Sequence, residues 1–251
     1  MSKTKKNVLI IVLLILIAIF LACAVYFVFY FINLEKIENM RNEYANSSVE
    51  SQTEQTVEVP VDFRKLKKAN KHIYAWISIP QANVDYPILR HPDNNGFYLN
   101  RSVNKQWSVY GSIFTENYNK KDFSDFNTLI YGHNMRNGSM FGSLKKFRDA
   151  SFFKKNRYIT IYMENRILKY EIFAACTWDN KHIIANRNFD LEENRTTYLE
   201  EIFAVRDMQS QVNRDIKVTA QDRIVTLSTC MNNDAKRFIV SGVLVYDSQN
   251  Q

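Results

Sequence analysis

Arg223-Ile224-Val225-Thr226-Leu227-Ser228-Thr229-Cys230, with Arg237-Phe238-Ile239-Val240-Ser241-Gly242-Val243-Leu244-Val245-Tyr246 close behind it, is the stretch on which the fold turns. Both runs are dense in β-branched and aromatic side chains, which suit a pleated, half-buried surface. The alternation through Ile224–Thr229 has the period of a strand. Cys230 stands at the end of the first run, where a strand end holds a side chain rigidly and leaves it open at a rim. Two readings of that thiol stand side by side. Free cysteine is usually a small buried hydrophobe, and a thiol at such a rim is also a candidate nucleophile. Arg237 opens the second run. Its planar, forked donors suit a carbonyl or an oxyanion. Lys236 beside it competes for that role, and a solvated cation is the plain alternative.

Outward from this pair the same kind of segment recurs. Trp76–Ile79 reads as a short strand stopped by Pro80, and Ser112–Phe114 and Thr128–Tyr131 as two more. Tyr158–Met163 and Ile167–Ala175, separated by Glu164-Asn165-Arg166, read as a hairpin. His91-Pro92-Asp93-Asn94-Asn95-Gly96 is turn chemistry. The spacing of Phe63, Leu66, Ala69 and Ile73 predicts a helix over Val61–Tyr74, and Phe141–Phe153 also reads as helical. Within a long insertion, Thr197-x-x-Glu200 reads as a capping box, and Leu199, Ile202, Phe203 and Arg206 give a helix with one apolar side. Many short strands with few helices predict a mainly β fold, a closed or nearly closed barrel with helical additions. His133 follows a strand and Gly132, in a loop that projects its ring; a solvated surface histidine is the plain alternative. His72, His91 and His182 have no comparable setting.

The chain has 251 residues, 46% of them hydrophobic, enough for one large domain or two small ones. The net charge of +7 is unevenly placed: +3 over residues 1–33, −4 over 34–60 and +8 over 61–251. A basic outer domain suits an anionic membrane surface or wall polymer, and scattered solvated lysines give the same count. No Lys/Arg stripe interleaved with aromatics is present, so no nucleic-acid partner is expected. Three cysteines make no disulfide framework. No CxxC or His/Cys cluster has ligand spacing, so neither a metal nor another cofactor is expected. Cys176 lies in apolar sequence and fits a buried role.

Val8–Ile32 contains no charged residue over 25 positions. As a helix it reaches roughly 37 Å, against a bilayer core of about 30 Å. Lys3, Lys5 and Lys6 precede it, so the positive-inside rule keeps residues 1–7 in the cytoplasm and sends the remainder outside. The run is longer than a cleaved signal core, and no clear A-x-A site follows it. The expectation is an uncleaved anchor at 8–32, a linker at 33–60 and an outer domain at 61–251. Residues 41–60 are acidic and rich in Ser, Gln and Thr, a composition that cannot fold alone.

Thr226-Leu227-Ser228-Thr229-Cys230 resembles the TLxTC signature of the sortases, with Arg237 as the arginine of the following strand. Tyr131-Gly132-His133-Asn134 resembles their catalytic-histidine segment. Gly111-Ser112-Ile113-Phe114, Trp76-Ile77-Ser78-Ile79-Pro80 and Asp85-Tyr86-Pro87-Ile88 match further family patterns in order, over about Val61–Tyr246. An amino-terminal helical segment at 61–75 and an inserted helix at about 188–208, ahead of the cysteine strand, resemble class B. The connection Met231–Lys236 is short, which bears on the loop beside the site.

The resemblance implies a closed eight-stranded barrel with amino-terminal helices, on the surface of a Gram-positive cell. It implies a single-pass membrane enzyme that cleaves a carboxy-terminal sorting signal, NPQTN-like or xPxTG-like, after Thr. Cys230 forms the thioester, His133 is acid and then base, and Arg237 holds the substrate backbone or the oxyanion. The acceptor is a peptidoglycan-peptide or lipid II amine. By motif position Asn95, Leu99, Tyr131, Ser228 and Thr229 are candidates for the substrate groove. An extracellular cysteine protease and a non-catalytic wall-binding module are the competing readings.

Overall fold

A computed structural model of the chain describes residues 3–45, 59–230 and 236–249. It divides into two units, Met1–Glu43 and Tyr44–Gln251. The first is a helix, α1 (Lys3–Ala45), within which Ile10–Ile32 is long and apolar enough to cross a membrane, its side chains exposed. The helix continues to Ala45, into the segment expected as linker, and residues 46–58 of that segment lie outside the described residues.

The second unit is a barrel. Its strands are β1 (Ile73–Ile79), β2 (Val84–Leu89), β3 (Ile113–Thr115), β4 (Asn127–Tyr131), β5 (Tyr158–Met163), β6 (Arg166–Asp179), β7 (Gln211–Val212), β8 (Ile224–Cys230) and β9 (Lys236–Asp247). Neighbours run β5-β1-β2-β3-β4-β8-β9-β6, and β6 pairs back onto β5. That closes eight strands and leaves β7 as a short flap on β6. The pairings β2–β3 and β4–β8 are parallel and the others antiparallel. The expected mainly β, eight-stranded barrel is therefore present, and closure leaves it without a long unpaired edge.

The helices correct three expectations. The stretch Val61–Tyr74 is not one helix. Asp62 caps α2 (Phe63–Ala69) by accepting from the Lys65 N–H, and Ile73, whose spacing fitted the helix, instead opens β1. Phe141–Phe153 splits into a 3-10 segment, Gly142–Arg148, and α3 (Ala150–Lys155). Between them Asp149 is extended and accepts from the Phe152 N–H at 2.7 Å. The inserted helix, α4 (Glu192–Ala204), starts five residues before Thr197, so Thr197 and Glu200 lie inside it rather than forming a capping box.

α4 packs on the outer face of the barrel. Tyr198, Leu199 and Ile202 bury against Leu129 of β4, Ile224 of β8, Ile239 and Val243 of β9 and Cys176 of β6. The opposite face of the same strands, including Ile130, Leu227 and Val240, fills the barrel interior. At the far end Asp247 pins three segments. Arg166 grips its carboxylate with two nitrogens, at 2.8 and 2.5 Å, and Arg223 adds a third bond at 2.9 Å.

Candidate active site

Strand register decides which positions meet. Tyr131 on β4 lies beside Ser228 on β8, and Cys230, two residues on, lies opposite Arg237 on β9. Arg237 in turn faces Trp178 on β6. Side chains two apart on a strand share a face. Tyr131, Ser228, Arg237 and Trp178 therefore occupy one outer face, with Cys230 at the register position opposite Arg237. It is the face that carries Leu129, Ile224 and Ile239 under α4, continued towards the strand ends. Cys230 is the last residue of β8. Lys236, the competitor for the cation role, is opposite Asp179 and exposed, whereas Arg237 is half-buried and paired with the cysteine position. The connection Met231–Ala235 lies outside the described residues.

His133 reaches the site through a built loop. Gly132 donates its N–H to the Ser228 carbonyl at 3.2 Å, extending the β4–β8 pairing one residue past the strand. The His133 carbonyl accepts from the Phe141 N–H at 3.0 Å, which closes the loop behind it. A Cβ on Gly132 would stand 2.5 Å from Ile113 and 2.7 Å from Phe141, so the loop fits there only without a side chain. The His133 ring bonds through Nε2 to the Leu99 carbonyl. A carbonyl only accepts, so Nε2 carries the hydrogen. Nδ1 is then the ring nitrogen left to exchange a proton.

The other sequence candidates divide. Leu99 is half exposed and anchors the histidine through its carbonyl. Asn95 accepts from the Asn117 N–H at 2.9 Å, which ties the 92–96 turn to the loop after β3. Ser228 and Tyr131 lie on the site face. Thr229 points the other way, opposite Phe238, and is buried with no partner for its hydroxyl. It belongs to the wall of the core rather than to the face of Ser228 and Tyr131.

Sequence reading passed over Glu116 and His182, which the fold brings to Tyr131. The Tyr131 hydroxyl lies 3.2 Å from His182 Nε2, and that nitrogen bonds Glu116. Burial raises the Tyr131 phenol well above its ordinary value; Glu116 adds to this, and the nearby charge of Arg237 opposes it. Sixty-six residues of chain separate Glu116 from His182, and no local pattern signals such a contact. Among the described residues no group of three or more His, Cys, Asp or Glu could hold a metal ion. Cys176 is fully buried, and burial pushes its thiol up to about 12, with Asp207 adding to it. That thiol is a packing group.

A mixed eight-stranded barrel with a cysteine position at one strand end, an arginine opposite and a histidine loop beside it defines the sortase type of barrel. The Sortase domain model matches residues 77–245, and the chain belongs to the sortase family. It is 36% identical over 195 residues to sortase B of Listeria monocytogenes, covering 75% of this chain and 76% of that one. It is 30% identical over 188 residues to sortase B of Staphylococcus aureus, covering 73% and 74%. The crystal structure of sortase B from Bacillus anthracis in complex with AAEK1 superposes with a TM-score of 0.71 at 31% identity, over 87% of this chain and 99% of that one. Class B is therefore the subclass, and the chain is a transpeptidase of a family that works at the cell surface.

Proposed function

We propose that this enzyme cleaves a carboxy-terminal sorting signal after Thr through a Cys230 thioester and passes the acyl group to a peptidoglycan-peptide or lipid II amine. The observation that carries the reading is the register that sets Cys230 opposite Arg237, with the His133 loop hydrogen-bonded to the same strand. The Cys230 thiolate attacks the carbonyl carbon of Thr. Arg237 holds the developing oxyanion or the adjoining backbone. As the C–N bond breaks, His133 gives its proton to the leaving amine. The acceptor amine then attacks the thioester, His133 takes its proton, and the thiolate leaves. Cations beside the thiol favour the thiolate, the nucleophilic form. Tyr131, Ser228, Leu99 and Asn95 are proposed to line the groove, with NPQTN-like or xPxTG-like peptides as substrates. Residues 1–7 are cytoplasmic in this reading, 8–32 the single-pass anchor, 33–60 the tether and 61–251 the catalytic domain outside a Gram-positive cell.

The test uses the full chain in detergent micelles and an internally quenched NPQTN peptide. Cys230→Ala reduces cleavage to background. His133→Ala lowers kcat/KM by about 10²–10⁴-fold, and Arg237→Ala by about 10²–10³-fold. Undiminished turnover by Cys230→Ala removes the proposed nucleophile. If Lys236→Ala is crippled while Arg237→Ala is not, the cation has been misassigned. A transfer product on adding an amine acceptor separates this reading from a hydrolytic protease.

A further inference from the structure

Three segments far apart in the chain meet at the Tyr131 phenol. Tyr131 ends β4, Glu116 is the residue after β3, and His182 lies in the connection between β6 and α4. His182 Nδ1 accepts the Ala185 N–H at 2.9 Å. An imidazole nitrogen that accepts carries no hydrogen, so the proton sits on Nε2. Nε2 in turn lies 2.5 Å from a Glu116 carboxylate oxygen and 3.2 Å from the Tyr131 hydroxyl. The carboxylate can only accept, so it takes the imidazole N–H. The ring of Tyr118 packs edge-on against His182 at 5.0 Å, and that of Phe114 stacks on Tyr131 at 5.4 Å. His182 also holds its own loop, since its carbonyl accepts from the Asn186 N–H at 3.1 Å. Glu116 is continuous with Asn117, which is bonded to Asn95 on the opposite loop.

We propose that Glu116 and His182 form a clasp that ties the 92–96 and 180–186 loops across the strand ends and positions the Tyr131 phenol beside Arg237 to receive the acyl-donor peptide. The proposal rests on the transpeptidase reading of the site. Glu116 and His182 are positioning residues, acting through Tyr131. His133 is held separately, by the Leu99 carbonyl. Loosening the clasp therefore disturbs how the peptide is seated and leaves proton transfer in place. An interaction made equally in ground and transition states appears in KM rather than kcat.

The experiment uses the full chain in detergent micelles with two readouts: kcat and KM for the quenched NPQTN peptide, and the Kd of a fluorescent NPQTN peptide for the Cys230→Ala protein. His182→Ala and Tyr131→Phe are each expected to raise KM, and Kd in the Cys230→Ala background, by about tenfold, the loss expected for one charge-assisted hydrogen bond. kcat should stay within about threefold of the parent. His182→Gln, whose amide N–H can still reach Glu116, should recover most of the loss. Tyr131→Phe/His182→Ala should be no worse than either single change, because both act on one contact. The clasp is overturned if the two losses multiply, if His182→Gln is as poor as His182→Ala, or if kcat falls with KM unmoved. Absence of turnover by the parent enzyme counts against the transpeptidase reading alone, since the binding readout still tests the clasp.

Discussion

Gly111 shows how closely one residue can be tied to the histidine. Its φ of +57° is left-handed, and a Cβ there would lie 2.4 Å from the Leu99 carbonyl and 2.9 Å from His133 Cδ2. Those are the two partners of the bond that orients the ring. Gly111→Ala should therefore lower kcat/KM by at least about tenfold and cost about 1–3 kcal/mol of stability through backbone strain. Steady-state kinetics and urea unfolding on the same preparation read both. Cys176 gives the opposite case. Fully buried beneath α4 with its thiol pushed up to about 12, it has almost no thiolate at neutral pH. Mass spectrometry after brief native alkylation should find Cys176 unmodified, and denaturation should expose it to the reagent. Its sequence context already pointed there, because the apolar run Ile172-Phe173-Ala174-Ala175 leads directly into it.

α4 covers part of the outer face of the site strands, and its start is poorly finished. Leu191 occupies the N-cap with extended backbone (φ −86°, ψ 124°), makes no side-chain cap and is 48% exposed. A serine hydroxyl in that place can accept one of the free N–H groups of the first turn. Leu191→Ser should raise unfolding free energy by about 0.5–1 kcal/mol in urea denaturation, with catalysis unchanged. The misplaced capping box has the same origin. Thr197 and Glu200 have the right spacing, but Glu192–Thr196 already forms helix ahead of them. Strands were easier to read than helices here. Ile224–Thr229 and Tyr158–Met163 alternate cleanly between turn residues, whereas Ile73 fits both a helix spacing and the first position of β1. Pairing partners across the barrel were beyond reach of any local pattern. So was the meeting of Glu116 with His182, which depends on closure and not on spacing.

Asp247 holds the barrel together at the end away from the site. Its hydrogen bonds to Arg166 keep the carboxyl well below the ordinary carboxylate range, opposed by burial and reinforced by Arg223. A depressed folded value means the group stabilises the fold at pH above the unfolded carboxylate value. That contribution is lost as pH falls through and below it. Asp247→Asn leaves two guanidinium groups without their carboxylate and should cost about 3 kcal/mol at pH 7. In urea melts run from pH 7 down to pH 3, the gap between variant and parent should narrow steadily below about pH 5. A gap that stays constant over that range would show that Asp247 contributes by shape and not by charge.

The parallel pairing of β4 with β8 bears on when the enzyme becomes active. β4 must wait for β8, which is made almost a hundred residues later, and the Gly132–Ser228 bond that sets the histidine loop waits with it. β8 is in turn completed by β9, the last strand among the described residues. Contacts this distant in sequence form late and slowly, because a long loop must close before any of them stabilises the fold. A nascent chain that has not yet released β9 therefore has an unassembled site. Synthesis itself thus delays assembly of the site until the whole domain is present.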